Sequence, residues 1–377
     1  APWIAVFYNT PVLTPLIRIT ALGFLWGPLG TPQGVILNRR LDFKTPARIS
    51  VINKIVSAII GISAAYAGYG LWALVISGLS SSLLGLIQTW WVVKWIPKEK
   101  FSKESFKYLW GFGNKMIGAN IIDTLYNNVA PIIVGKFYSP KDLGLYNRAL
   151  GYVTLPSNQI MGVLGSVTFP VLSKIQNDRE QLIQKYRKMI KVTCFIAFPI
   201  FMILCGLSHP LVVTLITEKW EACVIFLQIM CFAKMWWPFQ SINRNLIIVI
   251  GRSDLYLKLE IYKKIIFLSI ICISLRYGLV AFCISDIIVN IIGIIFNTYY
   301  TDKLFDYGLL KQLRDVFPSL LLSLCVLLIA FAITAIVEND LLQLLLGGIS
   351  GGCFYIGAAY LLKFSELKEV KYLLNRK

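Results

Sequence analysis

Residues 316–337, VFPSLLLSLCVLLIAFAITAIV, run for 22 positions without a charge, and after Glu338, Asn339 and Asp340 residues 341–362, LLQLLLGGISGGCFYIGAAYLL, do the same. A hydrocarbon layer about 30 Å thick is crossed by about 20 helical residues. Each run therefore reads as a membrane-crossing helix, and the three polar residues between them leave room only for a tight hairpin. Working outward, the same reading predicts spans at 12–36, 49–68, 71–95, 108–135, 143–172, 190–207, 221–250, 257–275 and 279–300. Lipid offers no partner for a bare N–H or C=O, so spans are helices or closed barrels, and a barrel would show short alternating segments instead. The expected fold class is all-α, a polytopic transmembrane helical bundle of about eleven spans. Several runs exceed the length needed to cross, and Pro28, Pro131, Pro156, Pro170, Pro199 and Pro238 inside them predict bent or interrupted helices.

Composition agrees. The 377 residues are 57% hydrophobic and 15% charged, with a mean hydropathy of +0.68, more apolar surface than a water-soluble fold can hide. A net charge of +18 would suggest nucleic acid in a soluble protein, but the position of the cations excludes it. Of 37 Lys and Arg residues, 27 fall in the loops 37–48, 94–107, 173–191, 251–264, 301–315 and 363–377. The opposite connections hold only Lys136, Lys141, Lys219 and Arg276. The excess of cations marks the cytoplasmic side, which places the C-terminus inside and Ala1 outside. The opening APWIAVFYN has no basic stretch, initiator Met or small-residue cleavage site, so it reads as the interior of a longer protein. The stretch REQLIQKYRKMIK at 179–191 has cations and apolar residues at helical spacing and is expected to lie along the inner surface.

Several chemistries are excluded. One histidine, His209, and cysteines inside apolar runs without a C-x-x-C pair leave neither a metal site nor a histidine base, and no cofactor is expected. No G-x-x-x-x-G-K-[ST] loop occurs, so an internal ATPase is not expected. The outer loops are too short for the acids and arginines of a membrane glycan polymerase or ligase.

Polar groups in a bilayer are costly and face the bundle interior or a wet cavity. In the fourth run Gly113, Met116, Asn120, Asp123, Asn127 and Pro131 share one helical face. In the fifth, Asn147, Gly151, Asn158, Gly162 and Gly165 do so, with Arg148 beside them. The seventh places Lys234, Trp237, Ser241 and Asn245 on one side with Arg244 just off it, and the ninth aligns Asp286, Asn290, Gly293 and Asn297. Asn and Gly on such faces serve helix packing as readily as function. Asp123 and Lys234, ionisable and deep, point to function; Arg18 and Arg148 lie nearer the outer interface, where an arginine can also snorkel.

Six stretches carry a family resemblance: RLDFKT at 40–45, WGFGNKMIGANIIDTLYNNVAPIIVGKFYS at 110–139, DLGLYNRA at 142–149, VTFPVLSKIQND at 167–178, GRSDLYLKLEIYKK at 251–264 and NTYYTDKLFDYG at 297–308. Together they resemble the polysaccharide transporter family, in particular its lipopolysaccharide, O-antigen and colanic-acid exporters, within the multidrug/oligosaccharidyl-lipid/polysaccharide flippase superfamily. The resemblance covers essentially the whole chain. It implies an incomplete version of a fourteen-helix, two-lobed flippase fold, lacking about three helices. Residues 1–107 would be the remainder of the N-terminal lobe, 108–300 the C-terminal lobe and 301–377 a C-terminal helix pair with a cytoplasmic tail. It implies export of a polyprenyl-pyrophosphate-linked glycan across a bacterial inner membrane by alternating access, without enzymatic activity. Arg148, Lys234 and Arg18 would meet the anionic head, with Asn120, Asn127, Asn147 and Asp123 facing the cavity. Asp123 or Asp286 would couple movement to H⁺ or Na⁺. The other readings are a cation-coupled drug or small-solute antiporter of the same superfamily, and an inactive remnant serving as a scaffold. The partners expected are membrane lipid and lipid-linked glycan, not nucleic acid.

Overall fold

The computed structural model describes residues 1–40, 42, 44–96, 102–175 and 178–374. Among them there is no strand, and the contacts separate the chain into two compact units, Ala1–Val129 and Ala130–Lys377. The all-α membrane fold expected from the sequence is the fold observed.

Unit 1 comprises α1 (Pro2–Phe7), α2 (Leu13–Thr20), α3 (Gly23–Arg39), α4 (Lys44–Tyr66), α5 (Leu71–Val93) and α6 (Lys103–Asn127). The predicted span at 12–36 is broken at Ala21–Leu22. Asp42 caps α4: its carboxylate accepts from the backbone N–H of Thr45 at 3.1 Å and from the Thr45 hydroxyl at 2.6 Å. Those bonds hold the Asp42 carboxyl below the usual carboxylate range. The RLDFKT motif thus contains a helix start. α4 and α5 form a close hairpin, in which Ser77 donates to the carbonyl of Ser57 at 2.8 Å beside Gly61.

Unit 2 holds α7 (Val129–Phe137), α8 (Pro140–Lys174), α9 (Arg179–Gly206), α10 (Ser208–Ile216), a 3-10 turn at Glu218–Cys223, α11 (Val224–Lys234), α12 (Trp237–Val249), α13 (Ser253–Ser274), α14 (Gly278–Phe305), α15 (Leu309–Ile336), α16 (Asp340–Leu361) and α17 (Ser365–Leu374). Ser139 and Asp142 form a reciprocal capping box at the start of α8, and Asp178 caps α9 by accepting from Gln181 N–H at 3.0 Å. α9 is the hub. Its Tyr186, Ile190, Phe198, Phe201 and Met202 are fully buried, against α8, α11, α12 and above all α15. The opposite faces are apolar too: Leu310, Phe317, Leu321 and Leu328 form an exposed stripe along α15. A bundle as apolar outside as inside is stable in lipid and not in water.

The segment 179–191 differs from expectation. It does not lie flat as a separate surface helix but is the first half of α9, with Leu182, Tyr186 and Ile190 buried in the bundle. Asp315 explains the cations: Arg187 makes a two-pronged pair with it, Lys191 lies 3.6 Å away, and Lys188 reaches Glu369 of α17 at 2.5 Å.

Seven stretches among the described residues are long and apolar enough to cross a membrane: 44–66, 71–93, 179–206, 218–249, 255–305, 309–336 and 340–361. The stretch 255–305 contains two helices, α13 and α14, joined by a turn at Leu275–Tyr277. The predicted total of about eleven is not confirmed: the spans expected at 12–36, 108–135 and 143–172 are not among these stretches.

α9 and α15 approach at Gly206, where an added Cβ would lie 2.5 Å from the Cβ of Ala330. Neither atom is the end of a flexible side chain, so the helices would have to part. Gly206→Ala is expected to cost about 1–3 kcal/mol and to lower the thermal unfolding midpoint in detergent. Gly357→Ala, where nothing lies within 4 Å, should not lower it, since alanine favours a helix interior over glycine. Equal midpoints would contradict the close approach.

Candidate functional site

Two opposite charges of unit 2 meet where a helix is interrupted. Pro238 has no N–H for the carbonyl of Lys234 four residues earlier, and its ring crowds that carbonyl. α11 therefore ends at Lys234, Met235 and Trp236 form a turn, and α12 restarts at Trp237. A helix C-terminus favours a cation. The ammonium of Lys234 lies 2.9 Å from Asp286 Oδ2 on α14 and 5.9 Å from the ring centroid of Trp237. Each partner of the pair keeps about a quarter of its side chain exposed, so it is shielded but reachable. Lys234 and Asp286, expected in separate roles, are brought together as an ion pair.

From Asp286 a chain of hydrogen bonds descends α14. Asn290 Nδ2 donates to the carbonyl and carboxylate of Asp286 at 2.8 and 3.2 Å. Gln240 Nε2 of α12 donates to Asn290 Oδ1 at 2.8 Å, and Asn297 Nδ2 donates to Gln240 Oε1 at 3.3 Å. Lys263 of α13 donates to Asn297 Oδ1 at 3.3 Å and pairs with Glu260 at 2.5 Å, and Arg244 stands 3.9 Å from Glu260. Gly293 makes the notch that admits Gln240: a Cβ there would sit 2.6 Å from Gln240 Oε1. The eleven steps from Asp286 to Asn297 rise about 16 Å, half the thickness of a hydrocarbon core. Asn290 and Asn297 were visible in the sequence as one stripe. Gln240, Glu260 and Lys263 were not singled out, although Glu260 and Lys263 stand three apart on one face, the spacing of a helical ion pair.

A second, fully buried cluster uses Asn243 of α12. Tyr186 donates to Asn243 Oδ1 at 2.7 Å, and Asn243 Nδ2 donates to Gln312 Oε1 at 3.1 Å. Gln312 Nε2 donates to Thr301 Oγ1 at 3.0 Å and to the carbonyl of Tyr307 at 2.9 Å. Tyr307 donates to Asp315 Oδ2 at 2.7 Å, joining the Arg187 pair. With its groups mutually satisfied and closed to solvent, this cluster fixes α9, α12, α14 and α15 rather than binding a ligand. The motif NTYYTDKLFDYG supplies members of both clusters, Asn297 to the first and Thr301 and Tyr307 to the second.

Arg148 lies elsewhere on unit 2. It projects from α8 over the ring of Trp220, 5.1 Å from its centroid. Asn147, Gly151, Tyr152, Thr154 and Leu155 join them around an open groove of about 640 Å³. Asn147 and Arg148 are exposed, as are Gly151, Asn158 and Gly162 on the same face. Gly144 keeps the helix surface low beneath the Trp220 ring, 3.7 Å from where a Cβ would be. Trp220 escaped the sequence reading because it lies in a short loop, outside every periodic run. Arg18 is exposed on α2 and Asn127 is exposed at the end of α6, both in unit 1. Asn120 and Asp123 are carried by α6, and their side chains lie outside the described residues.

Residues 1–225 match the family described as "Polysaccharide biosynthesis protein". The chain is 28% identical to the teichuronic acid biosynthesis protein TuaB of Bacillus subtilis over 68% of its length, a match that spans only 53% of that relative. It is 23% identical to the lipopolysaccharide biosynthesis protein WzxC of Escherichia coli, over 88% of this chain and 68% of that one. With the succinoglycan biosynthesis transport protein ExoT of Rhizobium meliloti it shares 22% identity, over 97% and 75%. Among solved structures, the lipid II flippase MurJ in its inward closed conformation superposes with a TM-score of 0.70 over 92% of this chain and 74% of that one, at 19% identity, a likeness of fold. The motifs, the multi-pass helical architecture and the family match agree: this chain belongs to the polysaccharide biosynthesis protein family.

Proposed function

We propose that the chain is the transporting part of a flippase, not an enzyme, which carries a polyprenyl-pyrophosphate-linked oligosaccharide from the cytoplasmic to the outer leaflet by alternating access. The observation that carries this reading is the exposed face of α8, where Arg148 is poised over Trp220 beside Asn147. A pyrophosphate head needs a fixed guanidinium or ammonium to replace its water, and sugar hydroxyls need amides and hydroxyls to bond. The prenyl tail needs only the bilayer. In this reading Arg18, Asn120, Asp123 and Asn127 of unit 1 also meet the glycan and its anionic head, and the C-terminus lies in the cytoplasm. The division into 1–107, 108–300 and 301–377 belongs to the same proposal.

Arg148→Ala and Lys234→Ala, made in the protein as its host encodes it, are each expected to lower surface polysaccharide at least about tenfold, since a hydrogen bond to a charged group contributes about 1.5–3 kcal/mol. Lipid-linked oligosaccharide should build up at the inner leaflet. Unchanged surface polysaccharide in both variants, without that build-up, contradicts the reading.

The hydrogen-bonded chain along α14 is tested by a double-mutant cycle. Gly293→Ala is expected to displace Gln240 and lower the unfolding midpoint, and adding Gln240→Ala should then cost less than Gln240→Ala does alone. Strictly additive effects would show that the notch does not hold Gln240.

A further inference from the structure

The proposed flippase binds a pyrophosphate, yet the partly sheltered ammonium of Lys234 is already engaged, 2.9 Å from Asp286. We infer that Asp286 stands in for the substrate, and that arrival of the pyrophosphate displaces the carboxylate from Lys234 while Asp286 takes up one proton from water. The inference rests on the flippase reading and gives that site its coupling step.

The geometry supports an exchange rather than a fixed structural pair. Both side chains are a quarter exposed, unlike the sealed cluster around Asn243, so an anion can reach the ammonium without opening the core. The two oxygens of Asp286 are held unequally: Oδ2 faces Lys234, while Oδ1 accepts from Asn290, which is braced by Gln240. Losing Lys234 therefore frees Oδ2 and leaves the carboxyl in place.

Among the described residues, the groups around the pair are the following. Tyr146 of α8 packs edge-on against Phe282, 5.8 Å between centroids, within electrostatic reach of Asp286. Cys283 lies about one turn away on α14 itself. Gln240 of α12 reaches Asp286 only through Asn290, and Arg244 of α12 faces Glu260. Lys263 and Glu260 of α13 meet α14 at Asn297. Asp315 of α15 is taken by Arg187, Lys191 and Tyr307. Arg276 and Tyr277 stand exposed in the turn before α14.

A carboxylate that loses its counter-ion among apolar helices is penalised unless it is neutralised. Protonation of Oδ2 balances the step: one anion enters, one proton enters, and the local charge changes by the charge of the anion plus one. Reversal on the other side of the membrane would release both.

Calorimetry counts that proton. Farnesyl pyrophosphate, a soluble prenyl pyrophosphate, is titrated into the purified full-length protein in lipid nanodiscs, in two buffers of different ionisation enthalpy. Wild type is expected to take up about one proton more per ligand than Asp286→Asn. Asp286→Asn should bind several-fold more tightly at neutral pH because the competing carboxylate is gone, and Lys234→Gln should bind at least tenfold more weakly. Asp286→Ala serves as the second variant if Asp286→Asn does not fold, with the same proton difference expected. Equal proton counts, or weaker binding once Asp286 is neutralised, overturn the exchange and leave the flippase reading standing. No binding to any of the proteins, wild type included, overturns the head-group site itself.

Discussion

An ammonium group inside a lipid-bathed bundle needs a counter-charge, and in unit 2 Asp286 supplies it to Lys234 at 2.9 Å. Much of the surrounding architecture follows from that need. Pro238 breaks the helix so that Lys234 ends α11, Asn290 and Gln240 brace the carboxylate, and Gly293 leaves the space that Gln240 occupies. Where water is absent a polar side chain cannot fall back on solvent. Each group recruited to satisfy another must itself be satisfied, and the chain continues through Asn297 to Lys263, Glu260 and Arg244.

α12 is the element on which two kinds of polar chemistry are kept apart. Gln240 and Asn243, three residues apart, reach different partners: one toward the partly exposed ion pair, the other into a sealed cluster with Tyr186 and Gln312. The sealed cluster pins α9 and α15 together, and Gly206 lets their backbones come close. The rigid half of unit 2 thus supports the half that remains accessible. α8 presents its own cation on an exposed face, steadied by Trp220.

The helical class and most helix positions were legible because a membrane requires long uncharged runs, and 316–337 and 341–362 correspond closely to α15 and α16. The polar stripes were legible for the same reason, since an Asn or Asp in such a run stands out. What periodicity could not supply was the neighbour across the gap. Helical phase says which face Asp286 occupies, not that Lys234, 52 residues earlier in the chain, lies opposite, so the two were assigned separate tasks. The segment 179–191 was misplaced for a related reason: an amphipathic pattern looks alike whether its apolar side meets lipid or α15. Asp315, distant in sequence, decides between them. Several family motifs gain a physical meaning from the structure, since Asp42, Asp142 and Asp178 begin helices and Asn297 and Thr301 close hydrogen-bond clusters.

In the proposed function, the cations of unit 2 carry a lipid-linked glycan between leaflets. The most direct measurement reconstitutes the full protein in vesicles and follows how much polyprenyl-pyrophosphate-linked oligosaccharide becomes accessible to a membrane-impermeant glycan label. The accessible fraction is expected to rise with wild-type protein and to stay at the protein-free level when Arg148 and Lys234 are both replaced by alanine. A wild-type trace that matches protein-free vesicles, or a doubly substituted protein that matches wild type, would contradict it.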